Sequence, residues 1–197
     1  MLVGRQPELD VIRGFISGSE REAVALALEG EAGIGKTALW GAAVSEARHV
    51  LTVGTTRPAR AEASYAFAAL ADLLPPRLED LLTEVPSPQR RALEVALLLR
   101  DAGDHPPAIN VVAAGFYSAI RALAAGKGML LAIDDVQWLD AASAEVMAYA
   151  LRRVAPGDGV RFLLSRRVGE GAATDPTATM LPERVRRLAL GPLSLGA

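Results

Sequence analysis

The residues from 30 to 37 carry the clearest chemical pattern of the sequence, Gly30-Glu-Ala-Gly-Ile-Gly-Lys-Thr37. They match G-x-x-x-x-G-K-[ST] between a predicted strand and a predicted helix. In such a loop, backbone N–H groups surround a phosphate, the lysine neutralises its oxygens and the hydroxyl ligates Mg²⁺. The alternative is a glycine-rich turn with an exposed lysine, which the flanking strand and helix argue against. The expected binding residues are Gly30, Ala32, Gly33, Ile34, Gly35, Lys36, Thr37 and Ala38.

Lysine is a rare residue in this chain, which has 19 arginines and two lysines. An arginine would serve most surface roles, but its wide planar fork fits poorly where a compact ammonium must lie between phosphates. The choice of lysine at position 36 therefore supports a phosphate contact that also takes part in catalysis.

Two adjacent carboxylates, Asp134 and Asp135, follow the apolar run from Met129 to Ile133. A Mg²⁺-nucleotide site needs carboxylates at a strand end beside the phosphate-binding loop. We expect Asp134 to hold Mg²⁺ through water, together with Thr37, and Asp135 to orient or deprotonate the attacking water. An aspartate-rich turn is the alternative, since aspartate is common in turns.

Ser165 and Arg166 close another apolar stretch, and in this kind of sheet that strand lies between the two strands above. Arg166 is predicted to contact the terminal phosphate as a catalytic residue, with Arg167 as the less favoured partner. A pair of arginines leaving a strand is also common at a solvated edge, so that alternative stays open.

The elements that must position these residues are those of an α/β sheet, in which ligands bind beyond the carboxyl ends of the strands. Every polar motif above falls at such an end. Strands are predicted over 23–29, 50–55, 129–133, 161–164 and 185–190. Helices are predicted over 8–17, 36–48, 65–74, 77–84, 87–100 and 109–125, with a further helix that Ser143 caps or joins and that reaches 154. Residues 168–180 are predicted to form a loop.

The remaining aromatic and imidazole residues are given no catalytic role. Trp40 and Trp138 are expected to pack in the core or at a domain interface. His105 lies in a loop between Asp104 and Pro106, where a lone histidine is more often a surface residue than a ligand.

Composition limits the classes of function. The 197 residues, about half of them apolar, suit a single domain. A net charge of −2 offers no general field for nucleic acid or an anionic membrane. Without cysteine there are no disulfides or thiolate metal sites, and no apolar run approaches the roughly 18 residues of a membrane span. We therefore expect a cytoplasmic protein without membrane contact.

A series of motifs in this chain resembles the ATPase domain of large LuxR-type transcriptional regulators, which are STAND-class ATPases related to the AAA+ group. The resemblance covers nearly the whole chain. It is carried by Val3-Gly4-Arg5, the phosphate-binding loop, Ile133-Asp-Asp-Val-Gln-Trp-Leu-Asp140, Leu164-Ser-Arg166 and Leu190-Gly-Pro-Leu-Ser194.

This resemblance implies a P-loop NTPase fold of three α/β/α layers, with a parallel five-stranded sheet in the order 5-1-4-3-2. It implies that Val3, Gly4 and Arg5 lie beside the adenine and ribose, with Pro192 close by. It also implies ATP or ADP with Mg²⁺ as a switch: ATP favours a self-associating active form, ADP holds a resting form, and hydrolysis is slow.

The chain departs from this family pattern because it ends at Ala197, where the family continues into a lid, a winged helix, a sensor region and a helix-turn-helix. Residues 1–197 are therefore expected to be an ATPase core. DNA binding would require the helix-turn-helix domain, and nucleotide affinity and hydrolysis would be weaker without the lid.

Two other functions remain open from the sequence. A P-loop phosphotransferase often carries an arginine-rich lid, and the segment from 166 to 187 holds five arginines. A nucleotide-binding scaffold without turnover would use nucleotide only to stabilise its fold.

Overall fold

A computed structural model of the chain describes residues 4–18, 23–75, 81–103, 106–168 and 185–192. Several predictions concern residues outside these ranges: Val3, His105, the start of the predicted helix 77–84, most of the predicted loop 168–180, and the end of the motif at 190–194.

Five parallel strands form one sheet, in the spatial order β2-β3-β4-β1-β5. This is the expected order 5-1-4-3-2, read from the other edge, so the predicted fold class is confirmed. The strands are β1 (Ala25–Gly30), β2 (Thr52–Thr56), β3 (Met129–Ile133), β4 (Val160–Arg167) and β5 (Val185–Ala189).

Helices cover both faces of the sheet. They are α1 (Gln6–Ser17), α2 (Lys36–Ala47), α3 (Ala68–Leu73), α4 (Ser87–Ala96), α5 (Ile109–Ala124) and α6 (Ala141–Arg153), and 3₁₀ turns span Arg60–Glu62, Leu81–Glu84, Val136–Trp138 and Pro156–Asp158. Among the described residues, no helix is both long and apolar enough to cross a membrane.

The core has two halves, divided by the sheet. Leu26 and Leu28 of β1 pack with α1 and α2, whereas Ala25 and Ala27 belong to the cluster that includes α3 to α6. Successive residues of a strand point to opposite faces, so a strand covered on both sides must be apolar throughout. The unbroken apolar runs of the sequence reflect this three-layer arrangement.

Several element boundaries differ from the sequence-based prediction, and the described part of the predicted helix 77–84 is the 3₁₀ turn Leu81–Glu84. Helix α4 ends at Ala96 and not at 100, because Leu98 has a left-handed backbone with φ 59° that a helix cannot contain. Helix α3 begins only after Phe67, which also has a left-handed backbone. Strand β4 continues three residues past Leu164, so Arg166 and Arg167 lie within the sheet.

Asp140 fixes the start of two helices. It is 3% exposed and is the N-cap of α6, where its Oδ1 accepts a hydrogen bond from the Ser143 N–H at 2.8 Å. The same carboxylate accepts hydrogen bonds from Phe67 N–H at 2.9 Å and Ala69 N–H at 3.4 Å, at the start of α3. Ser143 therefore lies inside α6, the second of the two predicted positions.

Candidate functional site

The carboxyl ends of the strands meet at a cleft of about 470 Å³. It is lined by residues of the loop after β1, the first turns of α2 and the ends of β2, β3 and β4, namely Ala32, Gly33, Gly35, Lys36, Thr37, Ala38, Gly41, Arg57, Asp135 and Arg167. Six predicted binding residues from the loop and α2 thus share one cleft with Asp135.

The glycines of the loop are required for two different reasons. Gly33 and Gly35 have φ of 79° and 100°, and a Cβ on either would meet no other atom within 4 Å, so backbone conformation requires glycine there. Gly30 is instead a point of close approach. A Cβ on it would lie 2.9 Å from Ile34 Cγ2 and 3.1 Å from the Leu190 carbonyl oxygen.

Helix α2 begins at Lys36, directly after the left-handed Gly35. Because Gly35 has no side chain to accept their hydrogen bonds, the first N–H groups of α2 have no side-chain cap. The positive end of the helix dipole therefore faces the cleft beside exposed Thr37, which suits an anion.

Lys36 is 5% exposed, and its Nζ donates hydrogen bonds to the carbonyl oxygens of Gly30 at 2.9 Å and Glu31 at 2.7 Å. An ammonium group has three N–H donors, so one remains for a ligand in the cleft. Burial lowers the pKa of Lys36; the negative charge of Asp135 opposes this shift, and the positive charge of Arg167 adds to it. An anion in the cleft would relieve this desolvation cost.

Asp134 and Asp135 share one hydroxyl group, that of Ser165. The Ser165 Oγ donates a short hydrogen bond to Asp134 Oδ1 and accepts one from the Asp135 N–H at 2.8 Å. Asp134 and Ser165 are both buried. Ser165, near the end of β4, therefore orients the carboxylate of Asp134 and the backbone of Asp135 at the end of β3.

Asp135 has a left-handed backbone, with φ 54°. Its carboxylate accepts hydrogen bonds from Arg167, at 3.0 Å to Nη2 and 3.3 Å to Nε, and from Gln137 Nε2 at 2.9 Å. Burial alone would raise the pKa of Asp135, but the hydrogen bonds from Arg167 and Gln137, with the charges of Arg167 and Lys36, outweigh it and lower the pKa. The group is an ionised carboxylate and a weak base.

Of the two arginines near the end of β4, Arg167 lines the cleft and Arg166 is not part of its lining, which reverses the order of preference drawn from the sequence; a contact with the terminal phosphate stays a prediction for either. Because β4 runs through both residues, their side chains point to opposite faces of the sheet. Arg167 shares the face of Ser165 and reaches Asp135. Strand alternation counted from Ser165 could have identified it, had the strand been extended to its true end.

The amino-terminal segment supports the loop from outside the cleft lining. Arg5 is 5% exposed, and its Nη2 donates hydrogen bonds to the Ile34 carbonyl at 2.9 Å and the Gly191 carbonyl at 2.8 Å, while its Nη1 bonds Glu8 at 2.7 Å. Arg5 therefore ties α1 to the phosphate-binding loop and to the chain after β5. Gly4 and Pro192, which neighbour Arg5 and Gly191 in the chain, are exposed.

Each tryptophan contacts an arginine of the segment after β2. The guanidinium carbon of Arg57 lies 5.0 Å from the ring centroid of Trp40, and that of Arg60 lies 5.7 Å from the ring centroid of Trp138. Trp40 is buried, as predicted, whereas Trp138 is partly exposed. Sequence reasoning missed Arg57, although its place directly after β2 puts it at the same sheet edge.

The oxygen donors present suit Mg²⁺, which takes few protein ligands and keeps phosphate and water in its shell. In the part of the chain that the structure describes, no three carboxylate or imidazole side chains form a metal cage. The buried Asp134 carboxylate and the exposed Thr37 hydroxyl are hard oxygen donors of the required kind.

Comparison with known proteins gives one matching family. A sequence profile described as the AAA ATPase domain matches residues 1–164. No match was found among curated proteins.

Three solved structures are similar in fold. A chain in the structure of Drosophila ORC bound to DNA has a TM-score of 0.52 at 22% identity, covering 96% of this chain and 43% of its own. Cdc6p from Pyrobaculum aerophilum has a TM-score of 0.51 at 13% identity, with coverages of 95% and 45%. A chain in the E. coli MS115-1 HORMA:CdnC:Trip13 complex has a TM-score of 0.53 at 15% identity, with coverages of 96% and 63%. The chain thus spans less than two thirds of each.

Proposed function

Because the chain belongs to the AAA ATPase domain family, we propose that it binds ATP or ADP with Mg²⁺ in the cleft at the carboxyl ends of the strands. One observation carries the proposal. Lys36 is the first residue of α2 and follows Gly35, the second of two left-handed glycines in the loop. Its buried ammonium donates hydrogen bonds to two carbonyl oxygens within the described part of the chain. Such a group is costly to bury without an anion.

In this proposal the backbone N–H groups from Ala32 to Ala38 bind the β-phosphate, and the free donor of Lys36 binds the β- and γ-phosphate oxygens. Thr37 and Asp134 hold Mg²⁺, which when bound neutralises charge on the phosphates. Ser165 keeps Asp134 in place through its hydroxyl group.

Hydrolysis is proposed to be slow and to depend on Asp135. Its carboxylate would orient the attacking water, and Arg167 would respond to the terminal phosphate. The lowered pKa of Asp135 makes it a poor proton acceptor, and its bidentate contact with Arg167 must loosen before the carboxylate can serve a water molecule. Both features favour a long-lived ATP-bound state over rapid turnover.

The wider role that we propose is that of a regulatory switch in a LuxR-type transcriptional regulator, with residues 1–197 as its ATPase core. The motif series from Gly4 to Leu190 supports this role. In it, the ATP-bound form self-associates and the ADP-bound form rests, while DNA contact belongs to another domain.

A non-hydrolysing scaffold is the second candidate, and one specific observation favours it. The Asp135 carboxylate already accepts hydrogen bonds from Arg167 and Gln137, so it is held by the protein and not by a substrate water. A scaffold would bind both nucleotides and release no phosphate.

Calorimetric titration of Mg·ATP and Mg·ADP tests the proposal. Lys36→Ala should weaken ATP binding by about 100-fold or more, because a buried charge-assisted contact is lost. The matched control is Lys127→Ala, which removes the chain's other lysine at an exposed position and should leave the affinity unchanged.

Phosphate release separates the two candidates. In a slow ATPase, Asp135→Asn should abolish release while nucleotide binding remains. A wild-type chain that binds nucleotide and releases no phosphate supports the scaffold. A wild-type chain that binds neither nucleotide contradicts the proposal.

A further inference from the structure

Arg57 lines the cleft together with Lys36 and Arg167, although no motif of the sequence includes it. Strand pairing fixes its position. The residue before it, Thr56, ends β2 in register with Ile133 of β3, and the Thr56 carbonyl accepts a hydrogen bond from the Asp134 N–H at 3.1 Å. Arg57 is therefore placed beside Asp134 by the sheet itself.

Two weak contacts orient the Arg57 side chain. Its Nε lies 3.6 Å from Asp134 Oδ2, and its guanidinium carbon lies 5.0 Å from the centre of the Trp40 ring. The side chain of Arg57 is 59% exposed, whereas that of Asp134 is 7% exposed. An ion pair of this length with an exposed arginine contributes little, because water screens it. Arg57 can therefore exchange Asp134 for a stronger anionic ligand at little cost.

The other two cations of the cleft are held more tightly. Lys36 donates to two carbonyl oxygens at 2.9 and 2.7 Å, and Arg167 makes a bidentate contact with Asp135. Arg57 thus has the most readily available guanidinium in the cleft lining. A guanidinium matches two phosphate oxygens at once, and stacking on an aromatic ring presents its edge to a ligand.

We propose that Arg57 binds the terminal phosphate of a nucleoside triphosphate and gives the site its preference for triphosphate over diphosphate. This inference rests on the proposed function, which places the β-phosphate in the loop from Ala32 to Ala38. The terminal phosphate then lies toward Asp134 and Asp135, on the side from which Arg57 enters the cleft. When a diphosphate is bound, Arg57 keeps its contacts with Asp134 and Trp40.

Affinity measurements on the full chain test this role. Arg57→Ala should lower the affinity for Mg·ATP by about 10-fold and that for Mg·ADP by less than about 2-fold. Arg57→Lys keeps the charge but loses the planar fork, and should recover only part of the ATP affinity. Arg60→Ala is the matched control, since Arg60 stacks on Trp138 in the same segment and is not part of the cleft lining.

Fluorescence gives a readout independent of affinity. In Trp138→Phe, Trp40 is the only tryptophan, and it reports directly on the guanidinium above it. Mg·ATP should change its emission more than Mg·ADP does. Adding Arg57→Ala should remove this difference between the two nucleotides.

The outcomes distinguish this inference from the proposed function. If the unmodified chain binds neither nucleotide, the proposed function fails, and the role of Arg57 fails with it. If both nucleotides bind and Arg57→Ala changes the two affinities by the same factor, only the role of Arg57 is overturned. Because Arg57 is mostly exposed, its variants should keep the wild-type melting temperature, which verifies that they fold.

Discussion

The loop from 30 to 37 and the segment from 133 to 140 both contribute to one cleft, the segment through Asp135, but they are built in different ways. The loop is built from backbone: two of its glycines have left-handed φ, and Lys36 bonds to main-chain carbonyls. The segment is built from side chains, and each of its three aspartates has a distinct set of partners.

These partners differ in number and in burial. Asp134 is bound by Ser165, Asp135 by Arg167 and Gln137, and Asp140 by backbone N–H groups of two helices. The difference teaches that one short segment can combine aspartates that face the cleft with an aspartate that supports the fold. Changes in the loop should act mainly on ligand binding and local backbone strain, whereas a change at Asp140 should act on the stability of the fold.

Asp140→Ala should have the largest effect on stability. It removes the N-cap of α6 and leaves the N–H groups of Phe67 and Ser143 without their acceptor in a buried place. We expect the free energy of unfolding to fall by about 2–4 kcal/mol. Urea denaturation measures it.

The control for Asp140→Ala is Glu145→Ala, which removes an exposed carboxylate from the same helix. Its effect should stay within about 0.5 kcal/mol. Equal stability of the two variants would break the comparison, because Asp140 would then contribute nothing to the junction of α3 and α6.

Gly33→Ala should have a smaller effect, on the loop side. Gly33 has φ 79° and open space where a Cβ would lie, so the cost is backbone strain of about 1–2 kcal/mol without a steric clash. Gly41→Ala is the matched control. Gly41 lies in α2 with equally open space and no positive φ, so alanine should stabilise the protein by about 0.5–1 kcal/mol.

If this account is right, thermal or urea unfolding will show that Gly33→Ala lowers the free energy of unfolding and that Gly41→Ala raises it. The same sign for both would mean that the left-handed conformation of the loop is not what requires glycine at position 33.

The sequence predicts the loop side better than the segment side, for a physical reason. A left-handed backbone requires glycine, and so does a close approach between two chain segments. Glycines at fixed spacing in the sequence therefore predict the geometry of the loop. The fold class is likewise predicted from local features, because unbroken apolar runs are typical of strands that helices cover on both faces. Asp134 and Asp135 can be predicted from the sequence because they follow such a run.

What the sequence did not reveal depends on contacts between distant segments. The sequence alone favours Arg166 over Arg167, because the choice between them depends on where β4 ends. Arg57 enters the cleft because β2 pairs with β3, which no local pattern records. The role of Asp140 at α3 joins residues more than 70 positions apart.

The smallest predicted effect concerns the Asp135–Arg167 contact and its dependence on pH. The pKa of Asp135 in the folded protein lies below the ordinary value of 3.8, since the contacts with Arg167 and Gln137 outweigh burial. A carboxylate with a lowered folded-state pKa stabilises the fold above its unfolded-state pKa and loses that contribution as the pH falls through the folded-state value.

Asp135→Asn should therefore destabilise the protein slightly near neutral pH, and the difference from wild type should shrink below about pH 4. Arg167 is 48% exposed, so screening by solvent limits the effect to less than about 1 kcal/mol. Urea denaturation at several pH values measures this difference in the free energy of unfolding.

Arg167→Ala should remove most of this pH dependence, because it takes away the main group that lowers the pKa of Asp135. A difference that grows on acidification would mean that burial, and not Arg167, dominates at Asp135, and that the carboxylate is a better base than the cleft geometry implies.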